Sequence, residues 1–208
     1  MGRIVAIAGG DLTSTRELNR YALKLTNKIN PNVLFVGTAS CDAKGYIETI
    51  TEEYRSLQCE VKSLCLCSEN YREGEIDALL SWADLIYVGG GDTISMMQVW
   101  KKYGVDEKLK KIYENDLAVL TGISAGAICW FNCGHSDSGA SQEADNGKYC
   151  WADGMLDIIH MAYCPHYNED GREYFIRSNA LVNAFMIQYK NGILEKKQIA
   201  PIILPISK

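Results

Sequence analysis

The sequence predicts an α/β protein: a single domain on a mostly parallel sheet with helices on both faces. Three observations carry this. Short runs rich in Ile, Val and Leu, typical of strands covered on both faces, alternate with stretches of helical period. Glycines cluster just beyond several of those runs, at 9–10, 89–91 and 122–126. A chain of 208 residues with 47% hydrophobic composition suffices for one covered core, and nothing in its composition marks a second domain.

Residues 3–8 read as a central parallel strand that ends at Gly9-Gly10-Asp11. Ser14 and Glu17 have capping-box spacing, and Leu18, Tyr21, Ala22, Leu25 and Ile29 recur at helical period, so a helix is expected up to about Asn30, where Pro31 closes it. Residues 32–37 form the next strand, and Ile47, Ile50, Tyr54 and Leu57 give the following helix one apolar face. A third strand is expected over 60–66, a short helix over 75–82 and a fourth strand over 85–88. Gly89-Gly90-Gly91-Asp92-Thr93 leads into helices over 94–103 and 105–115. Residues 117–120 form a fifth strand and 125–131 a buried helix. Residues 132–141 are small and polar and read as a loop, 149–159 hold short strands, and 161–164 run extended into Pro165-His166-Tyr167. The pattern over 172–189 is helical; 199–206, carrying Pro201 and Pro205, suits only an edge strand or a loose tail.

Net charge is −5 with scattered basic residues, which argues against nucleic acid or an anionic membrane surface as partner and favours a small substrate. The opening residues are too quickly followed by Gly9-Gly10 to read as a signal peptide, and no apolar run approaches spanning length, so a cytoplasmic location is expected. Most of the eight cysteines are then expected to be buried thiols. Cys129, Cys133 and His135 come nearest to a metal-ligand set, but no C-x-x-C pair completes it, and neither a metal nor another cofactor is expected. A homodimer is left open.

Gly122-x-Ser124-x-Gly126 between strand and helix has the nucleophile-elbow pattern. So tight a turn needs residues without bulk on either side of a strained serine, whose hydroxyl projects above the sheet edge. The Ala125 amide, in the first helical turn, would supply half of an oxyanion hole. The glycine run at 89–91 suits a phosphate or an oxyanion, but is neither G-x-G-x-x-G nor a P-loop. It should share the rim of strand carboxyl ends with Ser124. A serine hydroxyl needs a base oriented by an acid. Of three histidines, His160 follows an apolar run and reads as structural, His135 reads as a loop residue, and His166, after an extended segment, is the candidate base. Asp137 and Glu143 are the candidate acids, both placed between Ser124 and His166; Asp137, flanked by Ser136 and Ser138, is favoured. Asp92, Glu169, Asp170 and Arg172 are candidates for binding the charged ends of a substrate.

Gly122-Ile123-Ser124-Ala125-Gly126-Ala127, Gly89-Gly90-Gly91-Asp92-Thr93 and Cys164-Pro165-His166-Tyr167 together resemble the serine peptidases that include dipeptidase E and cyanophycinase, over about 3–172. The resemblance implies a flavodoxin-like fold akin to class I glutamine amidotransferases, Ser124 as nucleophile, His166 as base, and the Gly91 and Ala125 amides as oxyanion donors. It implies a dipeptidase acting on small peptides, with N-terminal Asp favoured. An esterase or amidase using the same residues, or a silent ligand-binding relative, are the alternatives. Two departures stand out: Asp92, where dipeptidase E-like members commonly carry Asn, and the Lys-rich, Pro-interrupted tail at 191–208.

Overall fold

In the computed structural model, the described residues are 2–138 and 149–167, together with the backbone of Ala184–Lys190 and Ile193–Ala200. The chain divides into two compact units, Met1–Pro165 and His166–Lys208.

The first unit is built on a five-stranded parallel sheet in the order β1-β5-β4-β2-β3, from β1 (Arg3–Ile7), β2 (Asn32–Val36), β3 (Glu60–Leu64), β4 (Leu85–Val88) and β5 (Val119–Ile123). The chain winds first toward β3 and then back to β5. With right-handed crossovers this reversal puts α1 (Leu12–Leu25) and α2 (Lys44–Ser56) on one face, and α3 (Glu75–Trp82), α4 (Thr93–Tyr103) and α5 (Val105–Glu114) on the other. The side chains sort accordingly. Val33, Phe35, Leu85, Tyr87 and Val119 pack with Ala22, Ile50 and Tyr54, while Leu34, Val36, Ile86, Val88 and Leu120 pack with Leu80, Met96, Trp100 and Leu109. Burial on both faces is why these strands read as continuous apolar runs.

Several local expectations are corrected. The cap of α1 is Asp11, whose side chain accepts the Ser14 amide while the Ser14 hydroxyl accepts the Asp11 amide. Asp caps as well as Ser and sits three residues before it, so the reciprocal pair forms one turn earlier than Ser14–Glu17. The α1 helix ends at Leu25, and Ile29, expected on its apolar face, is 93% exposed. The fifth strand begins at Val119, and Leu117 is 66% exposed. The helix after Ser124, expected over 125–131, is the short α6 (Ala125–Ile128). The segment expected to be a loop beyond it opens with β6 (Phe131–Ser136), which pairs antiparallel with β7 (Cys150–Asp153) and parallel with β8 (Ile159–Tyr163). Phe131 stacks on Tyr163 across that small sheet, ring centroids 4.4 Å apart.

The second unit holds an antiparallel pair, β9 (Ala184–Lys190) with β10 (Ile193–Ala200). Residues 184–189, expected to be helical, are therefore strand, and the closing strand starts well before 199; the rest of 172–183 and 201–206 lies outside the described residues. Of the eight cysteines, all free, only Cys59, Cys65 and Cys129 are buried, whereas Cys41 and Cys67 are exposed. Both exposed thiols lie in connections that follow strands, Cys41 after β2 and Cys67 after β3. None of the described helices is long and apolar enough to cross a membrane.

Two glycines set how α6 leaves β5. A Cβ on Gly122 would overlap the Gly126 carbonyl, and a Cβ on Gly126 would overlap the Val88 carbonyl and come within 2.7 Å of the Gly89 carbonyl. Elbow and β4 end thus touch backbone to backbone. Gly126→Ala is expected to cost about 3 kcal/mol or more, because rigid carbonyls stand in the way. Gly45→Ala, with nothing within 4 Å of its Cβ in α2, should leave stability unchanged or slightly raised. Urea midpoints of the two variants check this, and a Gly126→Ala as stable as the parent would contradict the packing.

Candidate active site

The carboxyl ends of β1, β2, β4 and β5 share one rim, where parallel sheets collect ligands. Ser124 stands on it directly after β5, half-buried, with φ 54° and ψ −116°. An L-residue held there carries strain of roughly 1–3 kcal/mol. The strain is locked in by three backbone bonds: the Ser124 N–H donates to the Ile7 carbonyl at 3.0 Å, and its carbonyl accepts the Ala127 and Ile128 amides at 2.9 and 3.0 Å. The sequence expectation of a strained serine at a strand-to-helix corner is met.

The glycine loop lies against it. A Cβ on Gly90 would sit 3.4 Å from Ser124 Cβ, so the two segments are in van der Waals contact. Along this loop the amides have separate fates. Gly89 N–H donates to the Val36 carbonyl at 3.0 Å, Gly90 N–H to the Tyr46 hydroxyl at 3.2 Å, and Asp92 N–H to the Ala39 carbonyl at 2.7 Å. Among the described residues the Gly91 amide has no acceptor, and neither has that of Ala125. Gly91 is also exposed, and its φ of 141°, with the Ala39 carbonyl where a Cβ would lie, admits only glycine. Two unengaged amides flanking a serine are the elements of an oxyanion hole.

Asp92 caps α4, its Oδ1 accepting the Ser95 amide at 2.8 Å. The next residue ties the loop to β6. Thr93 N–H donates to Ser138 Oγ at 2.6 Å, Thr93 Oγ1 lies 3.2 Å from Ser136 Oγ, and Ser136 Oγ donates to Ser138 Oγ at 2.9 Å. All three side chains are buried, while Asp137 between the serines is exposed. The two serines therefore anchor the turn and leave the Asp137 carboxylate outward. Cys150, whose thiol donates to the Ser138 carbonyl at 2.8 Å, reports on both acids: burial pushes that thiol up, and the Asp137 and Asp92 carboxylates push it further. Asp137 and Asp92 thus act on one place beside the glycine loop. From the sequence, Thr93 is only the end of the glycine-loop motif, with no role of its own, and Tyr46 is not singled out at all.

The histidines are placed differently from expectation. His135 is 2% exposed on β6, with ring centroids 5.2 Å from Tyr149 and 5.6 Å from Trp151, and its Nδ1 is 4.0 Å from Cys164 Sγ. It is not a loop residue. His160, expected to be structural, has an 86% exposed side chain and meets Asp157 at 2.9 Å, because it falls on the outward side of the edge strand β8. His166 opens the second unit in a turn, with φ 50°. Cys129 donates its thiol to the Gly126 carbonyl at 3.1 Å inside the elbow, and burial pushes that thiol well up. Glu143, Glu169, Asp170 and Arg172 lie outside the described residues.

Comparison with known proteins points the same way as this rim. The chain is 31% identical over 171 residues to the uncharacterized peptidase YgaJ of Bacillus subtilis, covering 81% of this chain and 70% of that protein. It is 30% identical over 148 residues to the uncharacterized peptidase Lmo0363 of Listeria monocytogenes, covering 69% of each. Among solved structures, a candidate peptidase E of Listeria monocytogenes EGD-e matches with a TM-score of 0.66 at 19% identity, over 96% of this chain and all of that one. A peptidase from an acI-B1 Actinobacterium matches with a TM-score of 0.60 at 20% identity, over 90% of this chain and 79% of that one. At such identities the solved structures speak for the α/β fold alone. The model of peptidase family S51 matches residues 4–199, and the chain belongs to that family, the dipeptidase E family of serine peptidases.

Proposed function

We propose that the protein is a dipeptidase E-type exopeptidase that hydrolyses small peptides through an acyl-enzyme on Ser124. The observation that carries this is the strained, half-buried Ser124 flanked by the unengaged amides of Gly91 and Ala125. In this reading Ser124 Oγ attacks the scissile carbonyl carbon as His166 removes its proton, and the carbonyl oxygen takes up negative charge between the two amides. The C–N bond then breaks, and the amine leaves with the proton from His166. Water, deprotonated by the same histidine, hydrolyses the ester and restores Ser124. The acid's work is to hold the His166 tautomer and stabilise the imidazolium, and we assign it to Asp137.

Ser124→Ala should lower turnover by several orders of magnitude while the protein stays folded, because only the hydroxyl is removed. Fluorophosphonate labelling of the parent at Ser124, absent in the variant, is the companion result. A silent, ligand-binding relative would label in neither. For the acid, Asp137→Asn should cost about 10⁴-fold in turnover and Glu143→Gln little. The reverse pattern on one substrate would move the role to Glu143.

Substrate choice is the finer part of the proposal. The family resemblance favours N-terminal Asp, whereas Asp92 and Asp137 set a negative potential beside the glycine loop. Asp-X dipeptides are expected to be cleaved with higher kcat/KM than Ala-X, and Asp92→Asn should widen the gap. Equal values for Asp-X and Ala-X would end the specificity assignment and leave the serine chemistry standing.

A further inference from the structure

We infer that Tyr46 is a positioning residue of the oxyanion hole: its hydroxyl, by accepting the Gly90 N–H, fixes the glycine loop so that, of the loop's amides, the one of Gly91 is presented to the developing oxyanion beside that of Ala125. The inference rests on the reading of Ser124 as nucleophile and adds a residue that acts through the loop.

The peptide plane that carries the Gly91 N–H has no bond of its own among the described residues, so its orientation is set by the planes on either side. On the C-terminal side the Asp92 amide is held by the Ala39 carbonyl at 2.7 Å. On the N-terminal side the Gly90 amide is held by the Tyr46 hydroxyl at 3.2 Å, a side chain supplied by the first turn of α2. Three successive glycines have no Cβ to resist rotation, so a loop of this composition keeps one orientation only where its peptide groups are pinned. An oxyanion donor has to be aimed before charge develops, within a few tenths of an ångström of its place.

Tyr46 is built into that position. Its ring lies flush under Gly89, where a Cβ would come within 2.9 Å of Tyr46 Cε1, and it packs edge-on against Phe35 with centroids 5.2 Å apart. Phe35 is in turn 6.1 Å from Tyr87, and Tyr87 is 5.5 Å from Tyr54. This aromatic group under β2 and β4 gives the phenol a fixed direction. Burial pushes the Tyr46 phenol up, opposed by the Gly90 N–H and by Tyr87, so the group is neutral throughout the working range of a histidine base. Tyr54 supplies an internal control. It lies on the same helix and in the same aromatic group, but its hydroxyl is buried with no partner among the described residues.

The test compares Tyr46→Phe with Tyr54→Phe on the best dipeptide substrate, together with inhibition by a dipeptide aldehyde, whose hemiacetal oxygen occupies the oxyanion position. Tyr46→Phe is expected to lower kcat about tenfold with KM within twofold, and to weaken aldehyde binding about tenfold. That is less than the roughly 10²–10³-fold loss from deleting an oxyanion donor, since the donor remains and only its aim is lost. Tyr54→Phe should change none of these. Amide exchange gives a readout in the parent protein itself: Gly90 should be protected and Gly91 not, and Tyr46→Phe should release Gly90 while Gly89 keeps its protection. An unprotected Gly90 in the parent, or a Tyr46→Phe with kcat within twofold of the parent, would overturn the role of Tyr46. If the parent shows no Ser124-dependent hydrolysis or labelling, the nucleophile assignment falls and this one falls with it. An active parent with an indifferent Tyr46→Phe removes the Tyr46 role alone.

Discussion

The approach of Gly126 to the carbonyls of Val88 and Gly89 is the contact on which the site depends. It brings the elbow after β5 against the end of β4 with no side chain between them. Two further features of the rim go with that approach. Ser124 is forced to positive φ because strand and helix turn within one residue, and Gly90 touches Ser124 because the β4 end has been drawn alongside. A methyl group at 126 would separate the nucleophile from the loop that carries one of its two proposed donors.

The energetic consequence is that strain and satisfaction are divided along the backbone. Ser124 holds an unfavourable conformation, but its own amide and carbonyl are fully bonded, so relaxing φ would break bonds each worth about 1 kcal/mol or more. Among the described residues the amides of Ala125 and Gly91, on either side of Ser124, have no acceptor. The buried Ala125 amide without an acceptor is costly, while the Gly91 amide is exposed and open to a ligand, so the two together beside one serine suit a group that completes both. In the proposed reaction, a carbonyl oxygen gaining charge is such a group. It is bound more tightly in the transition state than in the ground state.

The core of the first unit was legible because its strands are covered on both faces and read as apolar runs, and because Gly122 and Gly126 mark the elbow by steric necessity. What failed did so for physical reasons. β6 carries Asn132, Cys133, Gly134, His135 and Ser136, whose composition says loop, yet antiparallel and parallel partners on its two sides make it a strand despite weak intrinsic preference. β9 has helix-compatible residues, and the informative signal was instead the Asn-Gly at 191–192 between two segments that pair, the commonest hairpin turn sequence. Of the candidate site, Ser124 and Ala125 could be named from pattern, and Gly91 from the family resemblance. Tyr46 and Thr93 could not, since their partners at Gly90, Ser136 and Ser138 lie about 43–45 residues away in sequence and no local spacing encodes them.

Those distant contacts give the start of α4 more than one duty. Within three residues the chain presents the Gly91 amide, caps the helix with Asp92 and anchors the Ser136–Ser138 turn through Thr93. Alternation along the turn then leaves Asp137 outward while its neighbours are buried. A displacement of the glycine loop therefore cannot shift the oxyanion donor without also shifting the turn that bears the proposed acid. The proposed donor and the proposed acid are thus tied together, through the Thr93 contacts with Ser136 and Ser138 and the Tyr46 contact with Gly90.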